Sequence, residues 1–206
     1  MRIRTTLAVL ASGALLAGCG SAPADTGKAQ SGPAHGAGTE SSTVHASKLP
    51  WNRPDDQQAQ VKAAGLSLTT QEQLQVHYHA HLDVFVDGKP VPVPPGLGIN
   101  IGPNNTMPAH GQPGIAPLHT HDSSGVLHIE AAKDDTFTLG QAFVEWGVLL
   151  DKNRAGAYTP VRAYVDGKRY AGDPAGIVLK AHQEIAVVAG KGDVKVPRSY
   201  NFPQGE

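Results

Sequence analysis

The sequence predicts an α+β fold, an antiparallel sheet or small barrel of short strands with about two helices. Three observations lead there. Residues 76–86 alternate, with Val76, Tyr78, Ala80, Leu82, Val84 and Val86 on one face of an extended chain and His77, His79, His81, Asp83 and Phe85 on the other. Two Asp-Gly pairs, Asp87-Gly88 and Asp166-Gly167, each follow a strand-like run and supply the residues a tight hairpin turn requires. Helical spacing is confined to two clear stretches, one near residue 60 and one near residue 145.

The chain begins Met1-Arg2-Ile3-Arg4, runs apolar from Leu7 to Ala17 and reaches Leu16-Ala17-Gly18-Cys19. A charged start before an apolar run too short to span a bilayer reads as a signal peptide over residues 1–18. Its Leu-Ala-Gly-Cys end resembles a bacterial lipobox, which implies cleavage before Cys19 and acylation of its thiol. Cys19 is the sole cysteine, so the exported chain has neither a disulfide nor a thiolate ligand to offer. Residues 19–49 hold the lipidated cysteine and a stretch of Ser, Ala, Gly, Pro, Thr and Gln that buries too little to offset its ordering entropy. They are expected to be a flexible tether. It would join the membrane, at its extracytoplasmic face, to one globular domain at 50–200, with a tail at 201–206. The formal net charge is −1, and loss of Arg2 and Arg4 makes it more acidic, which excludes an electrostatic footprint for nucleic acid.

Within the domain, Pro54-Asp55-Asp56 followed by Gln57 to Ala64 and then Gly65 reads as a short helix with acids in its first turn. A helical turn near Thr70-Gln71-Glu72 is the weakest element. The strand Val76–Val86 turns at Asp87-Gly88 and returns through Lys89–Val93, where Pro90 and Pro92 remove ladder donors and place the return at an edge. Residues 94–117 are rich in Gly, Pro and Asn and form a long loop of the kind that often covers a site. The stretch His119 to Glu130 reads as a hairpin about Ser123-Ser124, with His119 opposite His128 and His121 opposite Val126. Thr138 is the N-cap of an amphipathic helix from Leu139 to Leu150, whose Phe143 and Trp146 point to the core. Val161–Val165 and Lys168–Tyr170 form the second Asp-Gly hairpin. Ile185 to Gly190 is a buried strand, and the tail from Lys195 is expected to be ragged.

Of ten histidines, His77, His79, His81, His110, His119, His121 and His128 fall within this central region. Imidazole is the commonest metal ligand near neutral pH, because its lone pair is available there. Three histidines and Glu130 on one face of one hairpin suggest a metal site, and His77, His79 and His81 stand upstream as a second set. The bland alternative is that alternating histidines are merely solvated, as threonines would be. Asp83, Asp122 or Glu130 can complete the shell or orient an imidazole. His110, in the loop, can close over the site. His35 and His45 lie in the tether, and His182 reads as a turn residue. With no thiolate and only Met107 as a thioether, blue-copper and Cu(I) chemistry are disfavoured, and the imidazole and carboxylate donors suit Zn²⁺ or Cu²⁺ ahead of Ni²⁺, Mn²⁺ or Fe²⁺. Affinity order favours copper; a tetrahedral three-histidine geometry favours zinc.

Three segments carry a resemblance. They are His77-Tyr78-His79-Ala80-His81-Leu82-Asp83-Val84-Phe85-Val86-Asp87-Gly88, His119-Thr120-His121-Asp122 with Gly125 to Glu130, and Phe137-Thr138-Leu139-Gly140-Gln141 through Trp146-Gly147. Together they resemble a family of largely uncharacterised exported prokaryotic (lipo)proteins. The resemblance covers about residues 70–190 and implies that the histidines form one site; it brings no activity with it. The cupin pattern does not apply, since no Glu follows His121 by three or four residues.

Two functions of different class remain open, beside a structural possibility, an interaction domain whose histidines are a pH-sensitive surface. One is a lipid-anchored module that captures, buffers or delivers Zn²⁺ or Cu²⁺ at the cell surface. The other is a hydrolase or hydratase in which a three-histidine metal activates water, with Glu130 or Asp122 as general base. No nucleophile or acid–base pair is legible apart from the metal, which favours the module. The sequence names no protein partner.

Overall fold

The computed structural model describes residues 44–101, 106 and 109–205. The signal peptide, Cys19, His35 and most of the expected tether lie outside the described residues. No helix among the described residues is long and apolar enough to cross a membrane.

In chain order the elements are α1 (Gln57–Ala63), β1 (Val76–Val86), β2 (Lys89–Val91), β3 (Leu118–His119), β4 (Val126–Ala131), α2 (Leu139–Glu145), β5 (Val161–Val165), β6 (Lys168–Tyr170), a 3₁₀ turn (Pro174–Gly176) and β7 (Glu184–Ala189). The α+β class holds. The strands form one mixed, open sheet of order β3-β4-β1-β7-β5-β6, with β2 paired to the far end of β1. It is not closed into a barrel. Nor is it wholly antiparallel, because β7 enters between β1 and β5 and runs parallel to β1, His81 to Val86 against Glu184 to Ala189. The two Asp-Gly turns share a backbone form, with φ of 50° at Asp87 and 51° at Asp166. Each also clasps one end of β7. Asp166 Oδ1 accepts from the Glu184 N–H at 3.0 Å, and Asp87 Oδ1 accepts from the Lys191 N–H at 2.8 Å.

Alternation along β1 sorts the sheet into two faces. Ala80, Leu82 and Val84, with Leu127 and Ile129 of β4 and Ile185 and Val187 of β7, join Leu139 and Phe143 of α2 and its C-cap Trp146 in the buried core. Each large side chain fully buried there contributes roughly 1.5–3 kcal/mol of transfer free energy. His77, His79 and His81 take the opposite face.

Both helices begin as their capping residues dictate. The Asp56 side chain accepts from the Ala59 N–H at 2.9 Å, and Thr138 with Gln141 forms a capping box. α2 is shorter than its apolar spacing predicts. It stops at Glu145 because Gly147 takes φ of 69°, letting the Val148 N–H reach back to the Phe143 carbonyl at 3.0 Å. Val148 then pairs with His45. His45, expected in the tether, therefore packs against the described residues of the domain. Thr70–Glu72 forms no helical turn; instead neighbouring Thr69 bridges Ile115. The tail is not ragged where it crosses the histidine face. Tyr200 stacks on His81 with centroids 3.8 Å apart, and Phe202 packs against Tyr200 and His182.

Glu145, at the end of α2, is 1% exposed, and neither carboxyl oxygen has a hydrogen-bond partner. Burial pushes its pKa well above the usual carboxylate range. An unpartnered buried acid costs stability, so Glu145→Leu is expected to stabilise the domain by about 1–3 kcal/mol. A urea unfolding midpoint that falls in this variant contradicts that expectation.

Candidate metal centre

The centre is assembled by strand register. β4 pairs antiparallel with β1, placing His79 opposite His128 and His77 opposite Glu130. β3 pairs with β4 on the other side, placing His119 opposite His128. His119, His128 and His79 thus form one row across three adjacent strands, all on the face away from the helices.

His121 arrives differently. The ladder ends at His119, because the Thr120 N–H donates to the Leu97 carbonyl at 3.0 Å and the Thr120 carbonyl accepts from the Gly96 N–H at 2.8 Å. Val126, expected opposite His121, pairs with His81 of β1 instead. Even so, the exposed His121 ring folds back until its Nε2 is 3.2 Å from Nε2 of His119. That spacing is close to the roughly 3.3 Å edge of a tetrahedron with metal–nitrogen bonds of about 2.0–2.1 Å.

His119 is oriented for ligation. Its Nδ1–H donates to the Ala116 carbonyl at 2.9 Å, which leaves the lone pair on Nε2. His119, His121, His128 and Glu130 can each present one ligand atom, all within 4.8 Å of one another. A second group, His77, His79 and Glu130, meets the same condition. The groups touch where His79 Nε2 lies 3.0 Å from His128 Nδ1. The structure therefore has His/Glu clusters able to hold a metal ion.

Electrostatics keep the imidazoles in their ligating form. Burial first, then the neighbouring His121, pushes the pKa of His119 down to about 3. Burial, then His121 and His79, lowers His128 to about 4. Burial and the other imidazoles lower His79 as well. Burial, reinforced by Glu72 and opposed by His77 and His121, raises Glu130. Its Oε2 is buried without a hydrogen-bond partner, a cost of about 1–3 kcal/mol that a bound cation offsets.

A pH dependence follows. For His119 and His128 the folded values lie below the unfolded imidazole value of 6.5, so between them the unfolded chain binds more protons. The stability contributed by these neutral rings is complete above pH 6.5 and is lost as pH falls through about 4 and then 3. In the metal-free protein both rings are expected to stay neutral at pH 5, read from imidazole ¹⁵N shifts. A titration midpoint near 6.5 in either ring contradicts the packing.

His81 does not join the row. Its Nε2–H donates to the Ser124 carbonyl at 2.9 Å, and its Nδ1 lies 2.8 Å from Glu184 Oε2. With Asp83 and Glu184 it forms a third group of possible ligands, but both ring nitrogens are already engaged. Burial opposes charge on this ring, yet Glu184 and the Ser124 carbonyl outweigh it and raise its pKa. Asp122, the other candidate base, is exposed and forms a turn, its Oδ1 accepting from the Ser124 N–H at 2.8 Å. His110 is exposed and lines a hollow of about 390 Å³ with Thr70, Gln71 and Glu72. Glu72 Oε1 lies 3.9 Å from His121 Nε2, so the hollow borders the centre.

Comparison with protein-family models, curated proteins and solved structures finds no match.

Sequence reasoning missed Glu72, Glu184 and Tyr200. Glu184 directly precedes the apolar run of β7, but its meeting with His81 depends on a parallel pairing that no local pattern announces. Tyr200 stands in a polar, Pro-containing tail with no periodicity to place it.

Proposed function

We propose that the chain is a lipid-anchored metal-binding protein that captures, buffers or hands on Zn²⁺ or Cu²⁺ at the extracytoplasmic face of the cell membrane. One observation carries the metal reading. His119, held by the Ala116 carbonyl, aims a bare Nε2 at His121 Nε2 3.2 Å away, and Glu130 beside them has an unpartnered buried oxygen. Nitrogen and carboxylate donors without sulfur suit Zn²⁺ and Cu²⁺. The four donors His119, His121, His128 and Glu130 can close a tetrahedral shell without an open position, which favours carriage over catalysis.

Equilibrium dialysis of the chain, produced without a His tag, tests this. Uptake is expected at micromolar free Zn²⁺ or Cu²⁺ and is reversed by a chelator. Absence of uptake of either metal overturns the proposal.

The anchor is a separate matter, supported by the Leu16-Ala17-Gly18-Cys19 sequence. Acylation of Cys19 would hold the domain at the membrane while the tether gives it reach. Cys19→Ser is expected to move the protein from the membrane pellet to the soluble fraction and to abolish incorporation of a labelled fatty acid. An unchanged distribution contradicts the anchor but leaves metal binding untouched.

A further inference from the structure

The two donor groups share one residue. Glu130 belongs both to the group with His119, His121 and His128 and to the group with His77 and His79. Its Oε1 lies 3.6 Å from His77 Nε2 and 3.6 Å from His128 Nδ1. Its Oε2 is buried and has no hydrogen-bond partner. A carboxylate between two sets of imidazoles, with one oxygen midway and the other unused, has the donor capacity of a bridge.

We propose that the histidine face is a dinuclear site. One divalent cation is held by His119, His121 and His128, the other by His77 and His79, and Glu130 bridges them. This rests on the metal-binding function proposed above.

Register builds the pair. His77 lies opposite Glu130, and His79 opposite His128, so β1 supplies one donor set while β3, β4 and the residues after β3 supply the other. The contact of His79 Nε2 with His128 Nδ1, 3.0 Å, is where the shells meet. In the metal-free protein one proton lies between these nitrogens; in the loaded protein it moves to the other nitrogen of its own ring, so that both rings stay neutral and each of the two nitrogens faces its own cation. Shared-carboxylate sites hold their metals about 3.5–4 Å apart, and here one carboxylate oxygen stands 3.6 Å from a nitrogen of each donor set. The alternative is a mononuclear centre in which His79 only orients His128 through that hydrogen bond.

Metal stoichiometry separates the two. The full chain, free of tag and chelator, is titrated with Zn²⁺ and the bound metal counted by mass spectrometry. A parallel sample loaded with Cu²⁺ is read by electron paramagnetic resonance. The expected result is two equivalents and, for copper, a spin-coupled signal with a half-field transition. His77→Ala, at a ring 40% exposed and so without consequence for folding, is expected to leave one equivalent and remove the coupling. Glu130→Gln is expected to weaken the second equivalent at least tenfold and also to remove the coupling. A single equivalent that His77→Ala does not alter overturns the dinuclear site and leaves the metal-binding function standing. Two equivalents without spin coupling, or two that survive both substitutions, also overturn it. No uptake overturns the metal-binding function itself.

Discussion

Replacing His119 by alanine is expected to weaken Zn²⁺ or Cu²⁺ binding at least about a hundredfold. Groups that merely orient a ligand are worth about ten- to a hundredfold in affinity, and His119 combines a ligand's position with a fixed tautomer. Its ring is 1% exposed, its Nδ1–H is committed to Ala116, and its Nε2 faces His121. Alanine removes the donor and the anchor that keeps β3 at the row's edge. His182→Ala is the comparison. His182 sits at φ of 55° before β7, and its backbone N–H donates to the His79 carbonyl at 2.7 Å, a bond that alanine retains. Its affinity loss is expected to be several times smaller, measured by competition against a chromophoric chelator. Equal losses mean that the site is misplaced.

Gly98→Ala is expected to cost about 3 kcal/mol or more of folding stability, and to lower metal affinity although Gly98 offers no ligand. Gly98 takes φ of 70°, where a side chain costs roughly 1–2 kcal/mol. The added Cβ would also fall on the Leu118 carbonyl oxygen and 3.0 Å from the His119 Cβ, an overpacking worth a further 1–3 kcal/mol or so. The backbone cannot easily yield. The Gly98 N–H donates to Gln57 Oε1 at 2.9 Å, and its carbonyl accepts from the Ala116 N–H at 2.8 Å. Relief must come from β3, which displaces His119. Gly88→Ala serves as the control, since Gly88 has a similar φ of 77° and open space around it. It is expected to lose only about 1 kcal/mol and no metal affinity. Urea unfolding and a metal titration of both variants check this; equal losses show that the close approach of Gly98 to β3 does not matter.

What was legible in the sequence was local. Alternation from Val76 to Val86 and the Asp-Gly turns revealed β1 and both hairpins, because a period of two and a positive-φ turn leave marks in neighbouring residues. Placing His119 opposite His128 needed only a short turn between them, and that pairing holds. Beyond such spans the reading weakened. The apposition of His79 with His128 crosses 48 intervening residues, including the loop at 94–117, and nothing local encodes its register. The parallel insertion of β7, which carries Glu184 to His81, is invisible for the same reason. The end of α2 is obscured for a different reason. Gly147 is a sound stop signal, but Val148 and Leu150 continue the apolar pattern because they pack as extended chain. The His-x-His spacing keeps His121 in a strand, which Thr120 leaves by bonding to Gly96 and Leu97, a competition between two backbone partners that composition does not rank.

X-ray absorption of the Zn²⁺-loaded chain tests the central claim most directly, because it reads the atoms around the metal. The expected result is a nitrogen/oxygen shell at about 2.0–2.1 Å with no sulfur and the multiple-scattering signature of at least two imidazoles, diminished in His119→Ala. A shell of oxygen alone, or an imidazole signature unchanged by that substitution, contradicts a centre built on the row His119, His128 and His79.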